Sequence, residues 1–221
     1  MARTGSAPRC AIPEGLVEIE GLSEWIAQFN DGDLAVSHVH VVGDAASRAD
    51  LASLEIEGSR VERCSYVGCD FSRAVFTDVA FSGCDFSNCD FSESNFMRCT
   101  FCSCKFTGAD FREASLQLID MRDSTCSYTS FAKARLEDVS VAASDFSHAD
   151  IVEARFRRAS FDDVRFIGTS FFRTDLFGVD LTTCQLADIV LSDAMGELRG
   201  CTMDLYQAAG IAQRLGVIVE G

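Results

Sequence analysis

Three sets of residues in this 221-residue chain carry chemistry in other contexts, and each has a spacing that suggests a use. The run CTFCSC at 99–104 gathers three of the chain's eleven cysteines, and thiols that close together can hold a soft metal. In LAVSHVHVV, His38 and His40 alternate, so a strand there would turn both imidazoles to one side as possible ligands. The third set is acidic. Counting in twenties from Asp50 gives Asp50, Asp70, Asp90, Asp110, Ser130, Asp150 and Ser170, so five of seven positions are carboxylates. Catalysis has little to stand on beside these. The only imidazoles are His38, His40 and His148, and there is neither a glycine-rich phosphate loop nor a G-x-S-x-G nucleophile motif. The chain therefore reads as a non-enzyme, with no cofactor, no metal and no small-molecule substrate.

The elements that must position these residues follow from a five-residue period. From Leu51 to Leu191 every fifth residue is apolar, 29 positions without an insertion, and Phe86, Phe91, Phe96, Phe101, Phe106 and Phe111 are its most regular stretch. Two places before each large residue runs a second column of small ones, such as Cys64, Cys69, Ala74, Cys84, Cys89, Ala109 and Ala134. A helix would spread a period of five around all its faces, and a strand would send alternate members to opposite sides. A fixed period instead signals a solenoid whose units bury their apolar side against their neighbours. One large and one small inward residue per five fit a chain that turns a corner at every repeat, so four repeats close a square coil of twenty residues.

In that frame the thiols lose their chemistry. Cys64, Cys84 and Cys104 fall in one inward column and Cys69 and Cys89 in the next, and the column accepts Cys, Ala, Ser or Val alike, so Cys serves as a small hydrophobe. Cys102 differs, because it follows an inward Phe and should face outward. An odd cysteine count, no apolar leader and no apolar run long enough to cross a bilayer lead to the expectation of a soluble cytoplasmic protein with reduced thiols.

The repeat resembles that of the pentapeptide-repeat family, whose pattern of small residue, polar residue, Leu or Phe and two variable residues is met by ADFRE at 109–113 and CDFSN at 84–88. The resemblance covers residues 49–193. It implies an all-β fold, a right-handed quadrilateral β-helix, and seven coils at about 4.8 Å each would make a rod of roughly 35 Å.

On such a rod the residue before each large one should face solvent, which stacks Asp50, Asp70, Asp90, Asp110 and Asp150 on one face. Two places after the large residue, the same face adds Glu93, Glu113 and Glu153, interrupted by Arg73, Lys133 and Arg173. Stacked like charges cost stability. Two readings remain open: an acidic binding face, or aspartates that suit the turn by accepting bonds from nearby backbone N–H groups. With a net charge of −15, of which residues 50–193 carry 24 acidic against 14 basic side chains, direct binding to nucleic acid is disfavoured and a basic partner is favoured.

Both ends leave the repeat. Residues 1–48 read as an N-terminal cap, with a short helix after Ser23 carrying Trp25, Ile26 and Phe29, then a degenerate first coil. In residues 194–221, Asp204 can cap a helix from Leu205 to Leu215, Gly216 supplies the stop, and Val217 to Val219 are expected as a strand. Leu205, Tyr206, Ala209, Ile211, Leu215, Val217, Ile218 and Val219 exceed what a two-turn cap needs, which suggests a two-fold homodimer formed tip to tip. DLYQAAGIAQRLGVIVEG resembles the closing segment of the Qnr and Mfp type within the family. That resemblance implies a DNA mimic that binds DNA gyrase or topoisomerase IV in place of duplex DNA, inhibiting it or protecting it from quinolones. The competing expectation is a plain interaction scaffold for an unrelated basic protein, because the fold by itself implies no topoisomerase role.

Overall fold

In the computed structural model, which describes residues 10–22 and 35–220, the five-residue period becomes a right-handed quadrilateral β-helix of about eight turns. The helix expected after Ser23 lies outside the described residues. Every coil pairs in parallel with the next at an offset of twenty: Asn95 lies over Val75 and under Ser115, and Thr100 lies over Ala80 and under Asp120. Val17–Ile19 pairs with Val39–Val41 and so begins the stack ahead of the regular repeat.

Corners are made by the residue two places after each large one. This residue has a left-handed φ, between about 47° and 78°, at every such position from His38 to Gly178. On the first face, headed by Leu51, the corner is a turn of the type II kind: Ala74 N–H donates to Phe71 O at 3.0 Å while Arg73 has φ 58°. Left-handed backbone strains β-branched residues most. The corner column holds one such residue, Thr183, and it does not adopt the conformation.

Inside, the aromatic rings form columns. Phe71, Phe91, Phe111 and Phe131 stack with centroids 5.0, 4.8 and 5.1 Å apart, while rings of neighbouring columns meet edge to face, as Phe81 and Phe86 do at 5.5 Å and 82°. Each pair adds about 0.5–1.5 kcal/mol beyond the area it buries. Where the large residue is Leu, Ile, Val or Met instead, filling is poorer. An apolar cavity of about 20 Å³ lies among Leu116, Met121, Leu136, Val141, Ile151 and Phe156.

One departure from the even stack was not expected. On the second face, headed by Ile56, successive coils are joined by Ser115 N to Ser94 O, Arg135 N to Ala114 O and Arg155 N to Ala134 O, each at 2.9 Å. The bond that should follow, Asp175 N to Ala154 O, is absent, and so is Asp180 N to Ala159 O on the third face. Toward the chain that follows, the same coil stays bonded: Leu176, Gly178 and Leu181 donate to Glu197, Gly200 and Thr202, at 3.0, 3.0 and 2.9 Å. On the other two faces the ladder continues through Ser170 N to Ala149 O and Gln185 N to Val164 O. The wall is therefore parted along two adjacent faces above Arg155–Arg157 and Ser160–Asp162, strands that pair on one side only among the described residues.

The C-terminal end is closed by a short 3₁₀ turn, Gly196–Leu198, and by the helix α1, Leu205–Arg214. Asp204 caps α1 as expected, in a capping box with Gln207, and Gly216 takes φ 82°. Val217 to Val219 form no strand: nothing among the described residues offers them a ladder, and they continue as an unpaired tail.

Candidate functional site

The aspartates of the first face stack as their spacing requires. Asp50, Asp70, Asp90 and Asp110 bridge one another in register, followed by Ser130, Asp150 and Ser170. Four consecutive rungs thus carry a carboxylate about every 4.8 Å. Asp50 is exposed and the others are half-buried. Their environments divide them into two kinds. Asp70, Asp90 and Asp110 each accept a bond at 2.8–2.9 Å from the backbone N–H two residues on, at Ser72, Ser92 and Arg112, and Asp50 does so from Ala52 at 3.2 Å. These four hold their turns whatever else they do. Asp150 makes no such bond, and burial alone pushes its carboxyl above the usual carboxylate range.

Charge on the face is partly paired. Arg112 holds Asp110 at 2.6 Å and Arg173 reaches Glu153 at 3.3 Å. Among the described residues Asp50, Asp70, Asp90, Glu93, Glu113 and Asp150 have no ion-pair partner within 4.0 Å. The unpaired acids cluster toward the N-terminal half. Glu113 and Glu153 turn the corner to a groove on the second face, where they sit beside Lys133, Arg135 and Arg155.

The residues expected to join two copies do not act as one set. Leu205, Tyr206 and Ile218 are 80%, 86% and 87% exposed, and Leu215, Val217 and Val219 also stand out from the tip. Ala209 and Ile211 are half-buried, Ile211 packing on the end of the solenoid core. The helix is fastened by Gln207, whose Nε2 donates to Leu181 O and Cys184 O, both at 2.7 Å. Its inner side is thus committed and its outer side free.

A family model for the pentapeptide repeat region matches residues 74–148 and 94–163. Residues 74–163 are a pentapeptide-repeat region. Among solved structures, a trypsin-treated variant of QnrB1, a plasmid-mediated fluoroquinolone resistance protein, matches at 25% identity with a TM-score of 0.60, covering 85% of this chain and 99% of that one. A second trypsin-treated QnrB1 variant matches at 22% identity with a TM-score of 0.49, over 93% of this chain and 98% of that one. HetL, a pentapeptide-repeat protein involved in heterocyst differentiation regulation from the cyanobacterium Nostoc sp. strain PCC 7120, matches at 13% identity and 0.31, over 84% and 98%. No curated protein matches the sequence.

In this coil the inward thiols fill space beside the large apolar residues. All eleven cysteines are free, and those of the inward columns are buried. Burial pushes the Cys89 thiol up to about 12 and drives Cys99 and Cys126 upward as well, which suits apolar filling and not nucleophilic work. Cys102 is exposed, as its position requires. Among the described residues no group of His, Cys, Asp or Glu is placed to hold a metal. His38 and His40 do not share a side. His38 turns a corner at φ 57° against Gly58, whereas His40 lies in the strand Val39–Val42 with its Nε2 at 3.4 Å from Glu62.

Two anchoring residues escaped the sequence reading. Glu197 is buried inside the last turn, where it accepts bonds from the N–H groups of Arg173 and Ser192 at 2.9 and 3.0 Å and from the Ser192 hydroxyl at 2.9 Å. Asp78 accepts from Arg98 Nε at 2.8 Å and from Ala11 N–H at 2.9 Å, tying the N-terminal segment to the side of the rod. Neither is marked by the repeat. The left-handed corner column could have been found from its near lack of β-branched residues and its frequent glycines.

Proposed function

We propose that the protein mimics duplex DNA toward a type II topoisomerase, DNA gyrase or topoisomerase IV. In this reading Asp50, Asp70, Asp90, Asp110 and Asp150, with Glu93, Glu113 and Glu153 beside them, dock on the basic surface that otherwise holds the duplex. The observation that carries the reading is the in-register carboxylate ladder on one face of a straight-sided coil. DNA places one charge per about 1.7 Å of axis, so the ladder is sparser than a duplex but has the same sign and linear form. The likeness to QnrB1 supports the choice of partner. The exposed side of α1 and its tail would join two rods about a two-fold axis, the symmetry of a duplex. Since no insertion interrupts the register between Leu51 and Leu191, the rod has no projecting loops there, and inhibition by occupying the DNA site is the first expectation.

A supercoiling assay with purified gyrase, with and without a fluoroquinolone, tests this. Neither inhibition nor rescue at micromolar protein would leave the scaffold reading, which the turn-holding bonds of Asp50, Asp70, Asp90 and Asp110 favour. Replacing the five aspartates by Asn separates the two roles, because Asn keeps an acceptor oxygen for the turn and loses the charge. The rod should stay folded and its effect on supercoiling should weaken.

A further inference from the structure

The parted wall of the second face is lined by basic side chains without partners. Arg135 and Arg155 occupy the same position of adjacent coils, in direct register, and Lys133 stands beside Arg135 at the corner. All three are exposed, and none has a carboxylate within 4.0 Å among the described residues. Their neighbours are accounted for: Arg157 holds Glu137 at 2.7 Å, and Arg158 pairs with Glu137 and Asp138. Charged residues at a strand edge commonly block unwanted pairing, and paired Arg157 and Arg158 fit that role. Two unneutralised arginines on strands about 4.8 Å apart do not, since each charge raises the cost of the other.

The groove they line has a volume of about 960 Å³, at the upper end of the range of ligand-sized clefts. Its floor is Phe156, an inward residue left half-buried by the gap, and Phe177 stands across it, 73% exposed. The backbone is also unsatisfied there. Asp175 N–H and Asp180 N–H lack the ladder bonds to Ala154 O and Ala159 O, and the pattern's bond from Arg158 N–H to Phe177 O is missing too. Free edge groups, apolar side pockets and unpaired cations together describe a site for an added strand.

We infer that this seam takes an extended acidic segment of a partner protein, which pairs with the edge at Arg155–Arg157 and sets carboxylates against Arg135 and Arg155. A nucleic acid is the poorer occupant, because Glu113, Glu153 and Asp175 line the same groove and would repel a continuous phosphate backbone. Isolated carboxylates can be directed to the two guanidinium groups, which bind them as a fork. The seam opens on the face next to the aspartate ladder and shares Glu113 and Glu153 with its edge, but Arg135 and Arg155 are not part of that ladder.

The test uses the full chain and a short fluorescent peptide alternating glutamate and valine, with a lysine–valine peptide and a DNA duplex as comparisons. The acidic peptide should bind alone, and the amides of Arg158, Asp175 and Asp180 should gain protection from hydrogen exchange. Arg135→Glu with Arg155→Glu should weaken that binding by at least about tenfold and transfer preference to the lysine peptide. In the free protein, Arg135→Gln with Arg155→Gln should raise the urea midpoint, because the substitutions relieve repulsion. Equal binding of both peptides, binding of the duplex in place of the peptide, or no binding at about 1 mM peptide overturns the inference. It is also overturned by unchanged amide exchange, by a lowered midpoint of the Gln variant, or by self-association that the Glu variant abolishes, which would put a second copy in the seam.

Discussion

A carboxylate on the first face can serve the turn, the partner or both, and the hydrogen bonds separate these roles residue by residue. Asp90 gives its oxygen to Ser92 N–H at 2.8 Å, so Asp90→Ala should cost about 1 kcal/mol of stability, measured by urea denaturation. Asp150 makes no turn bond, and its carboxyl is raised by burial, so the charged form is held against a desolvation cost. Asp150→Asn should therefore leave stability unchanged or slightly higher while reducing inhibition of gyrase. A loss of stability from Asp150→Asn would show that the charge has a structural partner after all. The stacking of these residues was legible because a repeat of twenty fixes which positions share a face. Their division was not, because whether an aspartate bonds its own turn depends on rotamers that Asp90 and Asp150 share no sequence mark to distinguish.

At the scale of elements, what was legible is what the period dictates: inward columns, corners, the capped helix after Asp204. The parting above Arg155–Arg157 was hidden, since DLFGVD at 175–180 keeps the pattern, yet on these two faces its coil bonds to the residues that follow it, Glu197, Gly200 and Thr202, and not to the coil before it. The thinning of the aromatic columns between Leu116 and Ile151 is legible, and its result is the cavity of about 20 Å³. Val141→Leu should fill part of it and add up to about 0.8 kcal/mol, the worth of one buried methylene, read as a higher urea midpoint. Phe91→Ala, in the fully stacked stretch, should cost about 3–5 kcal/mol. The C-terminal closure has its own pH dependence through Glu197. Burial pushes that carboxyl up, but hydrogen bonds from its own N–H and from Arg173 and Ser192 outweigh burial and hold it below the ordinary 4.5. A carboxyl lowered in the folded state contributes stability above its unfolded value, and that stability is lost as the pH falls through the folded one. Thermal midpoints should thus decline below about pH 4.5, and Glu197→Gln should flatten the decline while lowering the midpoint at neutral pH.

For the whole molecule, the distribution of charge and apolar surface along the rod decides how it can assemble. Asp50, Asp70, Asp90 and Glu93 stand without ion-pair partners among the described residues on the first face, and Lys133, Arg135 and Arg155 likewise beside the parted coils, so two places on the rod suit different partners. The tip is apolar instead. Leu205 and Tyr206 on α1, and Ile218 in the tail after it, expose most of their surface. Large apolar side chains exposed together at one end of a solenoid suit an interaction site. If two rods meet there about a two-fold axis, each apolar residue faces its own copy or a near neighbour, so one substitution acts twice. Leu205→Glu with Ile218→Glu places like charges on both sides of the axis and should convert the dimer to monomers in sedimentation at micromolar concentration, with the β-helix signal in circular dichroism unchanged. The monomer should also lose most of its effect on gyrase, because half the length of the acidic surface is removed from each encounter. A wild-type chain that sediments as a monomer, or a charged variant that remains dimeric, would move the association away from the tip and leave α1 as a closing lid on the last coil.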